Sequence, residues 1–206
     1  MVRRRVIGLT GGIATGKSTV AVFLQETYGF AVLDADVYAR EAVMPGSEVL
    51  QAIARRYGSE VLQADGTLDR TRLGAIVFGN PRERQWLEGR IHPFVRQRFV
   101  AEIERREETV VLVVPLLFEA NMTDLATEIW VVACSPEEQL ARLRQRNGYS
   151  EEEARSRIEA QLPLAYKCQQ ADLVLDNSGD RRVWQQQIDR WLRDDLRGLE
   201  AIAPRV

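Results

Sequence analysis

Leu9 to Thr19 reads LTGGIATGKST, and within it Gly11 to Ser18 (GGIATGKS) fits the spacing G-x-x-x-x-G-K-S. The apolar run RVIGLT, Arg5 to Thr10, predicts a strand ahead of it, and the residues from Lys17 onward predict the start of a helix. Glycines at such a junction let successive backbone N–H groups turn inward around an anion, and the helix adds the positive end of its dipole. Lys17 is then expected to reach the outer phosphates of a nucleotide, and the Ser18 hydroxyl to ligate Mg²⁺. An unrelated α/β protein also places glycines in tight turns, but the order strand, glycine loop, lysine, helix favours a phosphate cradle.

Working outward, four further apolar runs follow: AVLDA (Ala31 to Ala35), TVVLVVP (Thr109 to Pro115), EIWVVAC (Glu128 to Cys134) and ADLVLDN (Ala171 to Asn177). Continuous apolar runs without alternation belong to strands buried on both faces, hence to a parallel sheet. Helix starts between them are signalled by Ser135-Pro136-Glu137-Glu138, by Asn80-Pro81-Arg82-Glu83 and by Ser150-Glu151-Glu152-Glu153, each read as an N-cap with a capping-box glutamate. The predicted fold class is α/β, a P-loop NTPase fold with a five-stranded parallel sheet flanked by helices. Between Asp36 and Glu108 no run reads as a strand, while VLQAIARRYG and RIHPFVRQRFVAEIERR read as helices. The expected organisation is therefore a nucleotide-binding core at 1–35 and 109–206, with a helical insertion at 36–108. An arginine-rich segment at about 142–157 is expected to act as a lid.

Composition removes several classes. The 206 residues carry a net charge of −2, against a protein that neutralises many phosphates of a long nucleic acid. No apolar run is long enough to span a bilayer, and the run after Arg3–Arg5 stops at glycines too early for a signal-peptide core. The arginines themselves read as the solvated start of the first strand. Cys134 and Cys168 lie far apart without zinc or disulfide spacing, which suits a reducing cytosol. Of the 28 lysines and arginines only Lys17 and Lys167 are lysine. Lysine is thus expected where a compact ammonium is needed and a guanidinium fork does not substitute.

The acceptor of a phosphoryl group has to be read from other residues. Asp34 and Asp36 lie at i and i+2, at the carboxyl end of the second strand, where this architecture collects ligands. Asp36 is expected to take or orient the proton of an attacking hydroxyl; Asp34 either shares that role, acts on Mg²⁺ through water, or caps the helix that follows. No NKxD follows a strand, no DxxG ends the third, and Pro115 stands where a Walker B aspartate would. These features argue for a small-molecule kinase over a GTPase or motor ATPase. Another P-loop kinase and an idle nucleotide-binding module remain as alternatives.

The ordered set LTGGIATGKST, DADVYAR, ADGTLDR (Ala64 to Arg70), NPRERQWLEGRIHP (Asn80 to Pro93), VVPLLFE (Val113 to Glu119), RLRQRNGYSEEEARSRIEAQ (Arg142 to Gln161) and ADLVLDNSG (Ala171 to Gly179) resembles the dephospho-coenzyme A kinase family over nearly the whole chain. The resemblance implies ATP-dependent phosphorylation of the ribose 3′-hydroxyl of dephospho-coenzyme A, with ATP and Mg²⁺ as cofactors, a cytoplasmic location, and neither nucleic acid nor membrane as partner. It implies Asp36 as base, Lys17 on the phosphates and Arg142 on the transferring group. Gly11, Gly12, Ile13, Ala14, Thr15, Gly16, Lys17, Ser18 and Thr19, with Arg142, Arg146 and Asn177, form the implied ATP site. Thr10, Asp34, Asp36, Arg40, His92 and Leu116 form the implied acceptor side, with the insertion as coenzyme-binding domain.

Residue chemistry adds detail. Arg142 and Arg146, four apart on one helix, suit a phosphate chain. His92 precedes Pro93, which predicts a helix boundary or kink. Lys167 reads either as an exposed solubiliser or as an adjunct to the nucleotide site. Asn177 reads either as a contact to adenine or as a turn residue.

Overall fold

The structure, a computed structural model, describes residues 5–202, with side chains to residue 194. Five strands form a sheet in the order β2-β3-β1-β4-β5. In chain order the elements are β1 (Val6–Gly11), α1 (Lys17–Tyr28), β2 (Ala31–Asp34), α2 (Ala35–Glu41), α3 (Glu48–Tyr57), α4 (Arg70–Phe78) and α5 (Pro81–Glu104). Then come β3 (Val110–Val113), β4 (Glu128–Ala133), α6 (Pro136–Asn147), α7 (Glu151–Glu159), α8 (Leu164–Gln169), β5 (Leu173–Asp176) and α9 (Arg181–Ile202). β1 pairs in parallel with β3 and with β4, and β4 in parallel with β5. Every residue of β1 and of β3 is buried, as the unbroken apolar runs require.

The chain divides into two compact units, Met1–Val32 with Glu108–Val206, and Leu33–Glu107. In the first, Ile7, Leu9, Val111 and Trp130 of the sheet pack with Leu24 of α1 and Trp184 of α9. Polar contacts converge on Glu128, 13% exposed at its side chain, where both Trp130 Nε1 and Trp191 Nε1 donate to Oε2 at 2.8 Å and the Arg5 guanidinium pairs with the same carboxylate. Arg5 is therefore an ion-pair partner and not a solvated residue; Arg3 and Arg4 lie outside the described residues.

In the second unit, Leu50 and Ile53 of α3, Val61, Leu68 and Leu73 form a core against which Trp86 and Ile91 of α5 pack. An isolated antiparallel bridge joins Leu62 and Leu68. Of the boundary or kink expected at His92–Pro93, the boundary does not occur, because α5 runs through Pro93 to Glu104. A helical proline forgoes one hydrogen bond and crowds the carbonyl four residues back. That residue is Gly89, and around the proline the helix is held by packing, with Trp86 on one side and buried Val95 and Phe99 on the other. Phe99 meets Tyr38 of α2 edge to face at 5.3 Å.

The capping signals resolve unevenly. Asn80 caps α5 without the expected box, because the Glu83 carboxylate accepts from Arg56 and Tyr57 instead, whereas Ser150 with Glu153 forms a reciprocal capping box on α7. On α6 Ser135 caps Glu138 N–H, but the Glu138 carboxylate turns to Arg142 at 2.7 Å, and Ser178 Oγ accepts the Ser135 N–H instead. Among the described residues no helix is long and apolar enough to cross a membrane.

Burial raises the Glu128 pKa, but hydrogen bonds from Arg5, Trp130 and Trp191 and the Arg5 charge outweigh it and hold the carboxyl below its ordinary range. A depressed folded pKa stabilises above the unfolded value and loses that contribution as pH falls through the folded one. Glu128→Gln should therefore cost about 2 kcal/mol near neutral pH. Urea unfolding at several pH values should show the gap from wild type closing on acidification below pH ~4.

Candidate active site: a phosphate loop braced from behind

β1 ends on Gly11 at φ +149°, where a Cβ would lie 2.3 Å from the Val132 carbonyl oxygen. Five residues on, Gly16 precedes α1 at φ +102°, and a Cβ there would lie 2.2 Å from Asn177 Nδ2. Both positions exclude any side chain by space as well as by backbone angle. The loop between them is held by its carbonyls. Gly12 O accepts from Thr15 Oγ1 at 2.9 Å and from Lys17 Nζ at 2.8 Å. Ile13 O accepts from Gln139 Nε2 at 2.9 Å, and Thr15 O from Asn177 Nδ2 at 2.8 Å.

A trans peptide is planar, so a carbonyl and the next N–H point opposite ways. Drawing the Ile13 and Thr15 carbonyls toward Gln139 and Asn177 turns the N–H groups of Ala14 and Gly16 to the other side. Ala14 adopts φ +61°, a left-handed conformation that costs about 1 kcal/mol for a residue with a Cβ. α1 then begins with no side-chain cap and no acidic residue in its first turn. Its orphan N–H groups and dipole are thus left for an anion, as Ser18 presents an exposed hydroxyl beside them.

The other expected residues take definite places. Thr10 is fully buried, its hydroxyl 3.3 Å from the Pro115 carbonyl oxygen, and Leu116 follows in the turn after β3. Arg142 and Arg146 both lie on α6; Arg142 pairs with Glu138, and Arg146 Nε donates to Asn147 Oδ1 at 2.8 Å. Asn177 is 8% exposed and uses both ends of its amide, since Oδ1 accepts from Trp184 Nε1 at 3.0 Å. In the second unit, Asp34 caps α2, its Oδ1 accepting the Asp36 N–H at 2.8 Å, while Asp36 and Arg40 are exposed on that helix and His92 lies half-buried within α5.

Neighbouring groups are electrostatically settled. Ser178 hydrogen-bonds Asp176 through its hydroxyl and N–H and holds that carboxyl below its usual range, while burial pushes the Cys134 thiol up, away from nucleophilic chemistry. Lys167 is not exposed: it is fully buried, 2.8 Å from Glu119 Oε1. The brace Gln139 escaped the sequence reading, although it sits one turn before buried Leu143, a polar side chain on the apolar face of α6.

A family model described as Dephospho-CoA kinase matches residues 5–182. The chain belongs to the dephospho-CoA kinase family. A dephospho-CoA kinase of Synechocystis sp. is 59% identical over 179 residues, 86% of this chain and 89% of that one. The crystal structure of TT1252 from Thermus thermophilus matches with a TM-score of 0.79 and 35% identity, covering 93% of this chain and 98% of its own. Dephospho-CoA kinase from Campylobacter jejuni shares the fold, with a TM-score of 0.70 at 24% identity over 95% and 99% of the two chains.

If Asn177 braces the loop, its loss acts before any nucleotide binds. Asn177→Ala strands the Thr15 carbonyl and the Trp184 indole N–H, and should cost about 3 kcal/mol. Denaturation of the nucleotide-free protein should show that loss; an unchanged midpoint would mean that the side chain acts only on ligand.

Proposed function

We propose that this chain transfers the γ-phosphoryl group of ATP to the ribose 3′-hydroxyl of dephospho-coenzyme A, the final step of coenzyme A biosynthesis. The observation that carries this reading is family membership over residues 5–182 together with an intact glycine loop, Lys17 and Asp36. In this reading Gly11 to Thr19 cradles the phosphates: the N–H groups of Ala14, Gly16, Lys17 and Ser18 donate to their oxygens, while those of Thr15 and Thr19 hold the loop through the Gly12 and Gly16 carbonyls, and Lys17 offsets charge on the outer oxygens. The Ser18 hydroxyl is a hard oxygen donor of the kind that Mg²⁺ takes alongside phosphates and water. Mg²⁺ held there neutralises charge on the phosphate oxygens.

Asp36 accepts the proton of the 3′-hydroxyl as the new O–P bond forms and the bond from the γ-phosphorus to the β–γ bridging oxygen breaks, releasing ADP. Asp34 is already committed to capping α2, and through the Asp36 N–H it fixes where that helix begins. Arg142 neutralises the transferring group; its present partner Glu138 holds it in a half-exposed i,i+4 pair, which costs little to exchange. Arg146 adds charge along the phosphate chain, Asn177 acts by shaping the loop, and Thr10, Arg40, His92 and Leu116 are assigned to the acceptor side. The helical unit takes the coenzyme and the segment at about 142–157 closes over ATP, limiting hydrolysis. The proposed location is the cytoplasm, supported by two free thiols, Cys134 and Cys168.

Asp36→Asn keeps the size of the side chain and removes its basicity. It should bind ATP with unchanged affinity by calorimetry while phosphorylation of dephospho-coenzyme A falls by about 10²-fold or more. Full transfer in that variant would remove Asp36 from its role.

A further inference from the structure

The chain between α7 and α8 is fastened on two sides within the first unit. Gln161 Oε1 accepts the Ile13 N–H at 2.9 Å, so the far end of α7 is tied to the opening peptide of the phosphate loop. The next residue is held by another group: the Leu162 N–H donates to Glu119 Oε1 at 3.0 Å. That same oxygen takes the ammonium of the fully buried Lys167 at 2.8 Å, and Lys167 Nζ lies 3.5 Å from the Pro115 carbonyl oxygen, which also accepts from Thr10 of β1. A continuous polar chain thus runs from the end of β1, through the turn after β3, to residues 161–162 and back to the loop.

Stability alone is a poor account of this chain. A fully buried lysine gives up its hydration, and a buried ion pair seldom repays that cost better than an apolar pair of the same shape. Here Glu119 Oε2 is also buried with no hydrogen-bond partner among the described residues, an added cost. What the pair does secure is position. With Leu162 held by Glu119, Gln161 has a fixed origin from which its amide oxygen meets one N–H of the loop. The peptide it grips is the one whose carbonyl, Gly12 O, takes Thr15 Oγ1 and Lys17 Nζ. Its orientation therefore bears on the lysine as well as on the N–H row that follows.

We propose that Gln161 is a positioning residue for phosphoryl transfer, held against the phosphate loop by the buried Glu119–Lys167 pair, so that the end of α7 and the loop are set as one unit. This deepens the kinase reading and rests on it. Gln161 acts through the Ile13–Gly12 peptide, and Glu119 and Lys167 act through Gln161. A displacement of well under an ångström at a phosphate-binding loop is felt mainly in the transition state, so the effect falls on kcat more than on nucleotide affinity. A loosened α7 also admits water, which shows as ADP formed without phosphorylated coenzyme.

The test uses the full chain with ATP, Mg²⁺ and dephospho-coenzyme A, and compares wild type with Gln161→Leu, Lys167→Met and the double variant Glu119→Gln/Lys167→Met. Four quantities are read: kcat, KM for ATP, ADP released per phosphorylated product, and the melting temperature. Gln161→Leu should lower kcat by about tenfold with KM for ATP within about threefold, and should raise the ADP-to-product ratio above one. Lys167→Met strands a buried carboxylate and should lower the melting temperature; the double variant removes both charges and should recover most of it, yet keep the low kcat and high ratio of Gln161→Leu. Two results overturn the proposal: a Gln161→Leu enzyme with wild-type kcat and ratio, or a double variant whose kcat returns together with its stability. A wild type that does not phosphorylate dephospho-coenzyme A overturns the kinase reading instead, and this inference with it.

Discussion

Peptide planarity is the constraint on which the site depends. A loop can aim its N–H groups at an anion only if the carbonyls at the backs of those peptides find donors elsewhere, since a buried carbonyl without a partner costs as much as the loop gains. Here those donors are Gln139 from α6 and Asn177 from the end of β5, with Thr15 and Lys17 closing the loop on itself. Gln139 and Asn177 are both buried, so the interior of the fold fixes the cradle. Asn177 is itself oriented by Trp184, whose ring packs edge to face on Phe23 of α1 at 5.1 Å. The loop, β5, α9 and α1 therefore form one mechanical circuit.

That circuit explains why the sheet order matters for function. With β1 between β3 and β4, its carboxyl end is flanked by the ends of both neighbours. Val132 of β4 closes on Gly11 so tightly that no side chain fits, and the turn after β3 supplies the Pro115 carbonyl to Thr10 and Lys167. Placing a strand end between two parallel neighbours gives a rigid floor from which an otherwise irregular loop can be built. The missing Walker B aspartate fits the same picture, because Pro115 offers only a carbonyl there and the chain uses it to anchor structure.

What could be read in advance was what local sequence encodes: five apolar runs without alternation, the glycine loop, and caps at Asn80 and Ser150. What could not was whatever depends on side chains meeting across the fold. Gln139 reaches a carbonyl 126 residues away, Gln161 an N–H 148 residues away and Asn177 a carbonyl 162 residues away. In the sequence Gln139 and Gln161 are merely polar residues in or near a helix, and Asn177, though placed at the ATP site, reads as an adenine contact or a turn residue and not as a brace. The local rules that failed did so for the same reason. Pro93 pointed to a boundary or a kink, and the boundary is overridden because Trp86 and the buried Val95 and Phe99 pack the helical turns around it; Glu138 should have closed a capping box, but Arg142 offered it charge and Ser178 relieved the backbone. Lys167 was singled out by its rarity, yet its burial against Glu119 follows from the path of α8 and not from its neighbours in sequence.

The central claim is that this braced loop serves one acceptor. The most direct measurement is ADP release from ATP and Mg²⁺ with dephospho-coenzyme A, AMP, adenosine or shikimate as acceptor, with the position of the new phosphate fixed by mass spectrometry and phosphorus NMR. The account predicts turnover confined to dephospho-coenzyme A, with the new phosphate on the ribose 3′-oxygen. Turnover with another acceptor alone, or with none of the four, would contradict it.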